Sequence, residues 1–146
     1  MSNNSGMKNL YFFVIISLIF FSGCSKDVFK RYDERIVGQW HISDINRVGI
    51  GGNSAGLAFQ EGNFVFNPDG GLVYTDANGT NFNGTWEIQK RTVNDETIRT
   101  LHITAIDFNS QLVRSEFYDD INFRSTNHFV AKIQQSLRTY VTHFRR

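Results

Sequence analysis

Beyond Ile36 the chain alternates apolar and polar residues at period two, and turn-forming residues separate the alternating runs. The clearest run is Phe82-Asn83-Gly84-Thr85-Trp86-Glu87-Ile88-Gln89. Phe82, Gly84, Trp86 and Ile88 fall on one face, and Asn83, Thr85, Glu87 and Gln89 on the other. Successive side chains of a strand point to opposite faces, so this is a half-buried strand. Leu101, Ile103 and Ala105 repeat the pattern against His102 and Thr104. Phe123, Phe129, Ala131 and Ile133 do so against Arg124, His128 and Lys132. The runs predict eight strands, at about 36–47, 57–67, 70–76, 81–90, 97–106, 111–118, 121–133 and 136–144. Parity in the last run is unclear, because Thr139 and Thr142 blur the alternation.

The turns are chemically explicit. Asn67-Pro68-Asp69-Gly70 predicts a hairpin, with Pro presetting φ and Gly tolerating positive φ. Ala77-Asn78-Gly79 predicts another, since Asn-Gly is a favoured hairpin turn. Further turns fall at Val93–Glu96, Phe108–Ser110 and Tyr118–Asp120. Consecutive strands joined by short turns make an antiparallel meander, and a meander of this length removes its open edges by closing into a barrel. The expected fold is therefore all-β, an eight-stranded antiparallel up-and-down β-barrel. One connection differs: residues 49–56, GIGGNSAG, hold four glycines and no charge. They read as a flexible loop, and as the first candidate to cover an open barrel mouth.

The first 35 residues carry no such alternation. Lys8 is the only charged residue before an apolar run at 10–21, LYFFVIISLIFF, which only Ser17 interrupts. As a helix this run spans about 18 Å, too short for a bilayer core of about 30 Å. A positive start, a short apolar centre and small residues make a secretory signal peptide. Phe21-Ser22-Gly23-Cys24 resembles the bacterial lipobox, in which the cysteine becomes lipidated as the first mature residue; Phe21 stands where that pattern most often has Leu. The resemblance implies residues 1–23 as signal peptide, Cys24 as the lipidation (palmitate-bearing) site, and 24–35 as lipidated cysteine and tether. Ser25, in place of an acidic retention signal, implies the outer membrane of a cell envelope. Several acyl chains on one cysteine give firm membrane attachment.

Composition narrows the partners. Cys24 is the sole cysteine, so no disulfide forms within one chain. Without Lys8 the acids and bases balance, and no concentrated positive field suggests nucleic-acid binding. Aromatic residues at 14 % and a single proline suit a β-rich domain with large side chains to bury.

Gly38-Gln39-Trp40, then Phe64 to Gly70 (FVFNPDG), then Gly84-Thr85-Trp86 occur in the order found in lipocalin-like lipoproteins of Bacteroidota-type bacteria, and the chain resembles that family over about residues 35–144. The resemblance implies a lipocalin-like β-barrel domain over 36–146, around a small cavity. It also implies an Arg from the last strand against the first Trp, with Arg138 or Arg145 available. It implies no activity, because one fold hosts many functions.

Candidate chemistry is sparse. His41, His102 and His128 fall on polar strand faces and read as surface residues, while His143 has no assignable face. No His-x-His or Cys-x-x-Cys pair suggests a metal, and no cofactor is expected. Asp95-Glu96 and Asp119-Asp120 lie in expected turns, where carboxylates cap backbone groups. Gly52 to Gly56 lacks the strand-turn-helix setting of a nucleophile elbow. No enzyme is expected. The inward-facing set is Trp40, Ile42, Phe64, Phe66, Phe82, Trp86, Ile88, Leu101, Ile103, Val113, Phe117, Phe123 and Phe129, with Ser115, Ser125 and Asn127 sharing apolar parity. Polar groups pointing inward imply a wet cavity, unless they lie at the rims or bulges shift the parity. The ligand-binding candidates are Trp40, Trp86, Ser115, Phe117, Phe123 and Asn127. Two functions follow: a lipid-anchored envelope protein holding a small apolar or amphipathic ligand, or a non-enzymatic protein-interaction or structural module with a filled core and an outward apolar patch.

Overall fold

A computed structural model describes residues 31–49 and 56–146. The expected signal peptide, Cys24 and most of the glycine-rich stretch 49–56 lie outside the described residues. One helical turn, α1 (Tyr32–Ile36), precedes nine strands: β1 (Gly38–Gly49), β2 (Asn63–Phe66), β3 (Gly71–Thr75), β4 (Asn81–Val93), β5 (Glu96–Asp107), β6 (Leu112–Tyr118), β7 (Asp120–Ser125), β8 (His128–Gln135) and β9 (Arg138–Arg145). They form one antiparallel sheet in the order β6-β5-β4-β3-β2-β1-β9-β8-β7. The chain is all-β, as the alternation implies.

Two features depart from the expected eight-stranded barrel. The run 121–133 is two strands, because the chain reverses at Thr126-Asn127 and pairs Phe123 with Phe129. The sheet also does not close. Although only Asp119 separates β6 from β7 in sequence, they are the two edges of the sheet and share no ladder. The β6 ladder covers Leu101–Asp107 of β5, and β7 approaches β5 without pairing to it. The expected strand at 57–67 shortens to Asn63–Phe66. Residues 57–62 are irregular instead and insert Leu57 and Phe59 into the core.

The turns follow their chemistry. Gly70 takes φ +84° at the β2–β3 turn, where its N–H donates to Asn67 O and the Asp69 carboxylate accepts from Gly71 N–H. Asp76 Oδ1 accepts from the N–H groups of Asn78 and Thr80 at the next turn. Asn94 and Asp95 both take positive φ in the tight β4–β5 turn, a conformation these residue types tolerate. Gly84 is required for another reason. A Cβ there would lie 1.8 Å from Thr104 O, so only glycine lets β5 cross this closely.

The core is aromatic. Phe129 stacks on Phe144 at 4.4 Å between centroids, Trp40 meets Phe129 edge-on at 4.7 Å, and Phe59 meets Tyr74 at 4.9 Å. Offset and edge-to-face contacts of this kind add to simple area burial. Both indole N–H groups are satisfied by backbone carbonyls, Trp40 Nε1 by Ile36 O at 2.6 Å and Trp86 Nε1 by Asn67 O at 3.0 Å. The parity of the last strand is settled: Tyr140, Thr142 and Phe144 point inward. The arginine over Trp40 is neither Arg138 nor Arg145 but Arg146, with its guanidinium 4.2 Å from the ring centroid. Its Nη2 donates to Val37 O and Arg35 O, tying Arg146 to α1 and to the residue that links α1 to β1.

Candidate functional site

The parity of β6 is the reverse of the expected one. Val113 and Phe117 are 55 % and 42 % exposed, and Ser115 is exposed beside them. Arg114, Glu116 and Tyr118 turn inward instead. Hydropathy favours Val113 and Phe117 for burial, but the irregular segment 57–60 lies behind β6 and brings the Ala58 N–H and C=O, which need partners. Ala58 N–H donates to Glu116 Oε2 at 2.7 Å, and Arg114 Nη1 donates to Ala58 O at 3.2 Å. A buried backbone group left unmet is costly, so the polar side chains take the inner positions. Arg114 also meets Asp76 at 3.5 Å and lies 5.0 Å from the Phe82 ring centroid.

This inner cluster perturbs its acids. Burial pushes the Glu116 carboxyl above its ordinary pKa, while bonds from the Ala58 and Phe117 N–H groups pull the other way. Burial likewise raises the pKa of Tyr74, offset in part by Arg114. The fully buried Tyr118 hydroxyl is raised further, again by burial first. A polar recess of about 140 Å³ opens beside Arg114, Asp76, Tyr74 and Glu61. Arg114 and Glu116 were not legible as interior residues; their only sequence signal is shared parity with Tyr118.

The outer side of β6 has the opposite character. Val113, Ser115 and Phe117 stand in one row, with Leu112 at 48 % and Phe108 at 72 % exposure near its end. Beside them on β5, His102 Nε2 lies 3.1 Å from Ser115 Oγ, and Thr104 Oγ1 is 3.1 Å from the same oxygen. Glu87 is opposite His102 across β4 and β5, yet no hydrogen bond joins them among the described residues. The Asp107 carboxylate secures the β5–β6 turn. Its pKa is lowered by the Ser110 hydroxyl first, then by the Asn109 N–H, with the Ser110 N–H adding to this against an opposing effect of burial.

The six ligand-binding candidates do not share one site. Trp40 and Phe123 are buried near each other, 6.1 Å between centroids. Trp86 is buried against Phe66, 5.7 Å away between centroids. Ser115 and Phe117 lie on the outer face of β6, and Asn127 lies in the β7–β8 turn with its carbonyl accepting from Arg146 N–H. A recess of about 260 Å³ is lined by Trp40, Phe64, Gln39, His41, Asn63 and Val65 together with Arg146.

Two of the four histidines meet. His128 Nε2 is 3.1 Å from His143 Nδ1, and Asn46 Nδ2 is 3.2 Å from His143 Nε2. Both rings are half-buried, so His128 is not the open surface residue its strand face suggests. Desolvation lowers the His128 pKa, helped by Arg145, His143 and Arg124. Of the paired acids, Asp119 Oδ2 accepts from Gln134 N–H and Asp120 meets Lys132 at 3.4 Å, so both hold structure. Among the described residues no group of three or more His, Cys, Asp or Glu forms a metal-binding cluster.

No family model matches the chain, and neither a curated protein nor a solved structure matches it.

Proposed function

We propose that this protein is a lipid-anchored, non-enzymatic interaction module of the cell envelope, which engages a protein partner through the outer face of β6. The anchor rests on the sequence around Cys24. The carrying observation for the surface is the inversion of β6, which exposes Val113 and Phe117 while Arg114 and Glu116 are held inside. Exposed apolar rows on an edge strand are the usual mark of an association surface. The aromatic filling of the described core supports this reading over a ligand held between the strands. Arg146 over Trp40 supports the lipocalin-like resemblance, with the arginine arriving one residue past the last strand.

The test is photo-cross-linking of the full chain in its native envelope, with a photoreactive residue at Val113 and, separately, at Asn122 on β7. The reading expects adducts from Val113 and few from Asn122. Equal or absent adducts at both positions would overturn it.

A second reading has one observation behind it: the recess of about 260 Å³ beside Trp40 and Phe64 has room for a small ligand. Native mass spectrometry of the gently extracted chain tests it. An added mass lost on denaturation, and weakened by Val65→Trp at the recess wall, supports it; an unliganded chain counts against it.

A further inference from the structure

Resting on that reading, the partner at β6 can be named more closely. We propose that β6 pairs antiparallel with β6 of a second copy, about a two-fold axis at Ser115, to form a symmetric homodimer with a continuous sheet. The argument is the self-complementarity of five residues, Val113-Arg114-Ser115-Glu116-Phe117. When this strand is reversed against itself about Ser115, Val113 of each copy faces Phe117 of the other, and Arg114 faces Glu116. An isologous interface requires this kind of match, because residue i must suit residue j in both directions. The outer face of the pairing gains two apolar cross-strand pairs, while on the inner face Arg114 and Glu116, which keep their bonds to Ala58, stand opposite groups of opposite charge. Cross-strand pairs of both kinds stabilise an antiparallel ladder.

The strand is also built as an open edge. Its ladder to β5 runs from Leu112 to Tyr118 without a bulge, and no proline or lysine interrupts it. Bulges, prolines and lysines are among the devices by which edge strands avoid addition of another strand; inward-pointing charges are a further one, and here Arg114 and Glu116 have opposite signs and answer each other across the proposed axis. Phe108 and Leu112 extend the exposed apolar surface just beyond the paired segment.

Sedimentation of the full chain in detergent over a range of concentrations tests the register directly. The wild type is expected to form dimers. Val113→Glu alone and Phe117→Lys alone each place a charge opposite an apolar residue, and each is expected to weaken dimerisation by about tenfold. The double variant places Glu opposite Lys at both ends of the axis and is expected to recover most of that loss. All these positions are exposed, so each variant is expected to keep the wild-type circular dichroism spectrum. A second readout is Ser115→Cys, which under oxidation is expected to form a disulfide-linked dimer, with Asn122→Cys as control. A chain that stays monomeric and gives no Ser115→Cys dimer overturns the self-pairing. Equal losses in the single and double variants overturn the register. If Val113 still cross-links to a different protein, only the self-pairing has failed; if it cross-links to nothing, the interaction reading has failed with it.

Discussion

The two edges of the sheet differ in how they treat their phenylalanines. On β7, Phe123 turns inward, where it meets Phe129 at 5.3 Å and Tyr32 at 5.1 Å and carries the Arg35 guanidinium 4.3 Å from its ring centroid. On β6, Phe117 turns outward and Arg114 and Glu116 occupy the inner side. The β7 edge is also interrupted, with a register shift between Phe123 and Ser125 and an ion pair between Asp120 and Lys132. The difference shows that strand burial here follows the backbone that needs satisfying, not hydropathy alone. Behind β7 lie rings and a helical turn that offer apolar contact. Behind β6 lie the Ala58 N–H and C=O, which demand an acceptor and a donor.

The largest expected effect sets the two phenylalanines against each other. Phe123→Ala is expected to destabilise the fold by about 3–5 kcal/mol, the usual cost of emptying a buried aromatic site. Phe117→Ala is expected to change the stability of the dilute monomer by less than about 0.5 kcal/mol. Urea unfolding of both variants checks the contrast, and a large loss at Phe117 would mean that its outward placement is wrong.

The arginines reverse the ranking. Arg114→Ala removes a bond to Ala58 O, an ion pair with Asp76 and a contact with Phe82. It leaves Asp76 and a peptide carbonyl short of a partner, at an expected cost of about 2–3 kcal/mol. Arg124→Ala, on the exposed side of β7, is expected to stay within about 0.5 kcal/mol. Similar losses at both positions, measured by the same unfolding experiment, would remove the distinction between the edges.

These contrasts mark how far the chain is legible as a sequence. Alternation identified the inward faces of β4 and β5, because Phe82, Trp86, Leu101 and Ile103 face a core with no competing polar demand. It failed at β6, where the competing demand comes from Ala58, more than fifty residues away in sequence. It merged β7 with β8 because Phe123 and Phe129 keep the same parity across the turn. Thr142 hid the parity of β9: its hydroxyl is fully buried, and among the described residues its Oγ1 finds no hydrogen-bond partner of good geometry. An arginine against Trp40 was implied by the resemblance and not by the alternation, and the residue is Arg146 and not Arg138 or Arg145, because Arg146 bonds to the Arg35 and Val37 carbonyls. Cys24, expected as the lipidation site, and residues 50–55 of the glycine-rich stretch lie outside the described residues.

Acid titration gives a smaller effect that is specific to the β6 side. The folded state holds the Glu116 proton more tightly than the unfolded chain does, because burial raises the folded pKa. By linkage, this group therefore adds stability as pH falls through its folded pKa, and the gain is complete below the unfolded value. Asp107, whose pKa is lowered by the turn it caps, acts in the opposite sense. Its contribution is present above the unfolded pKa and is lost as pH falls through the folded one. Glu116→Gln is expected to remove the first contribution, so the wild type should gain on this variant as acid is added. Parallel stability curves for the two proteins across the acid range would show that Glu116 is not held in a buried site.

A small expected effect on stability carries the most about function. Ser115→Lys transplants onto β6 the kind of charge that β7 already bears. The native hydroxyl bonds to His102 and Thr104 on an exposed face, so its loss is expected to cost the monomer no more than about 0.5–1 kcal/mol. On association the same lysine would face its own copy at the two-fold axis, two like charges in direct opposition across a ladder, which is destabilising. Dilute unfolding should therefore barely move while the concentration dependence of sedimentation disappears. If both stay as in the wild type, the row of Val113, Ser115 and Phe117 is not the surface through which the protein associates, and the open edge of β6 would be no more than the mirror of the guarded edge of β7.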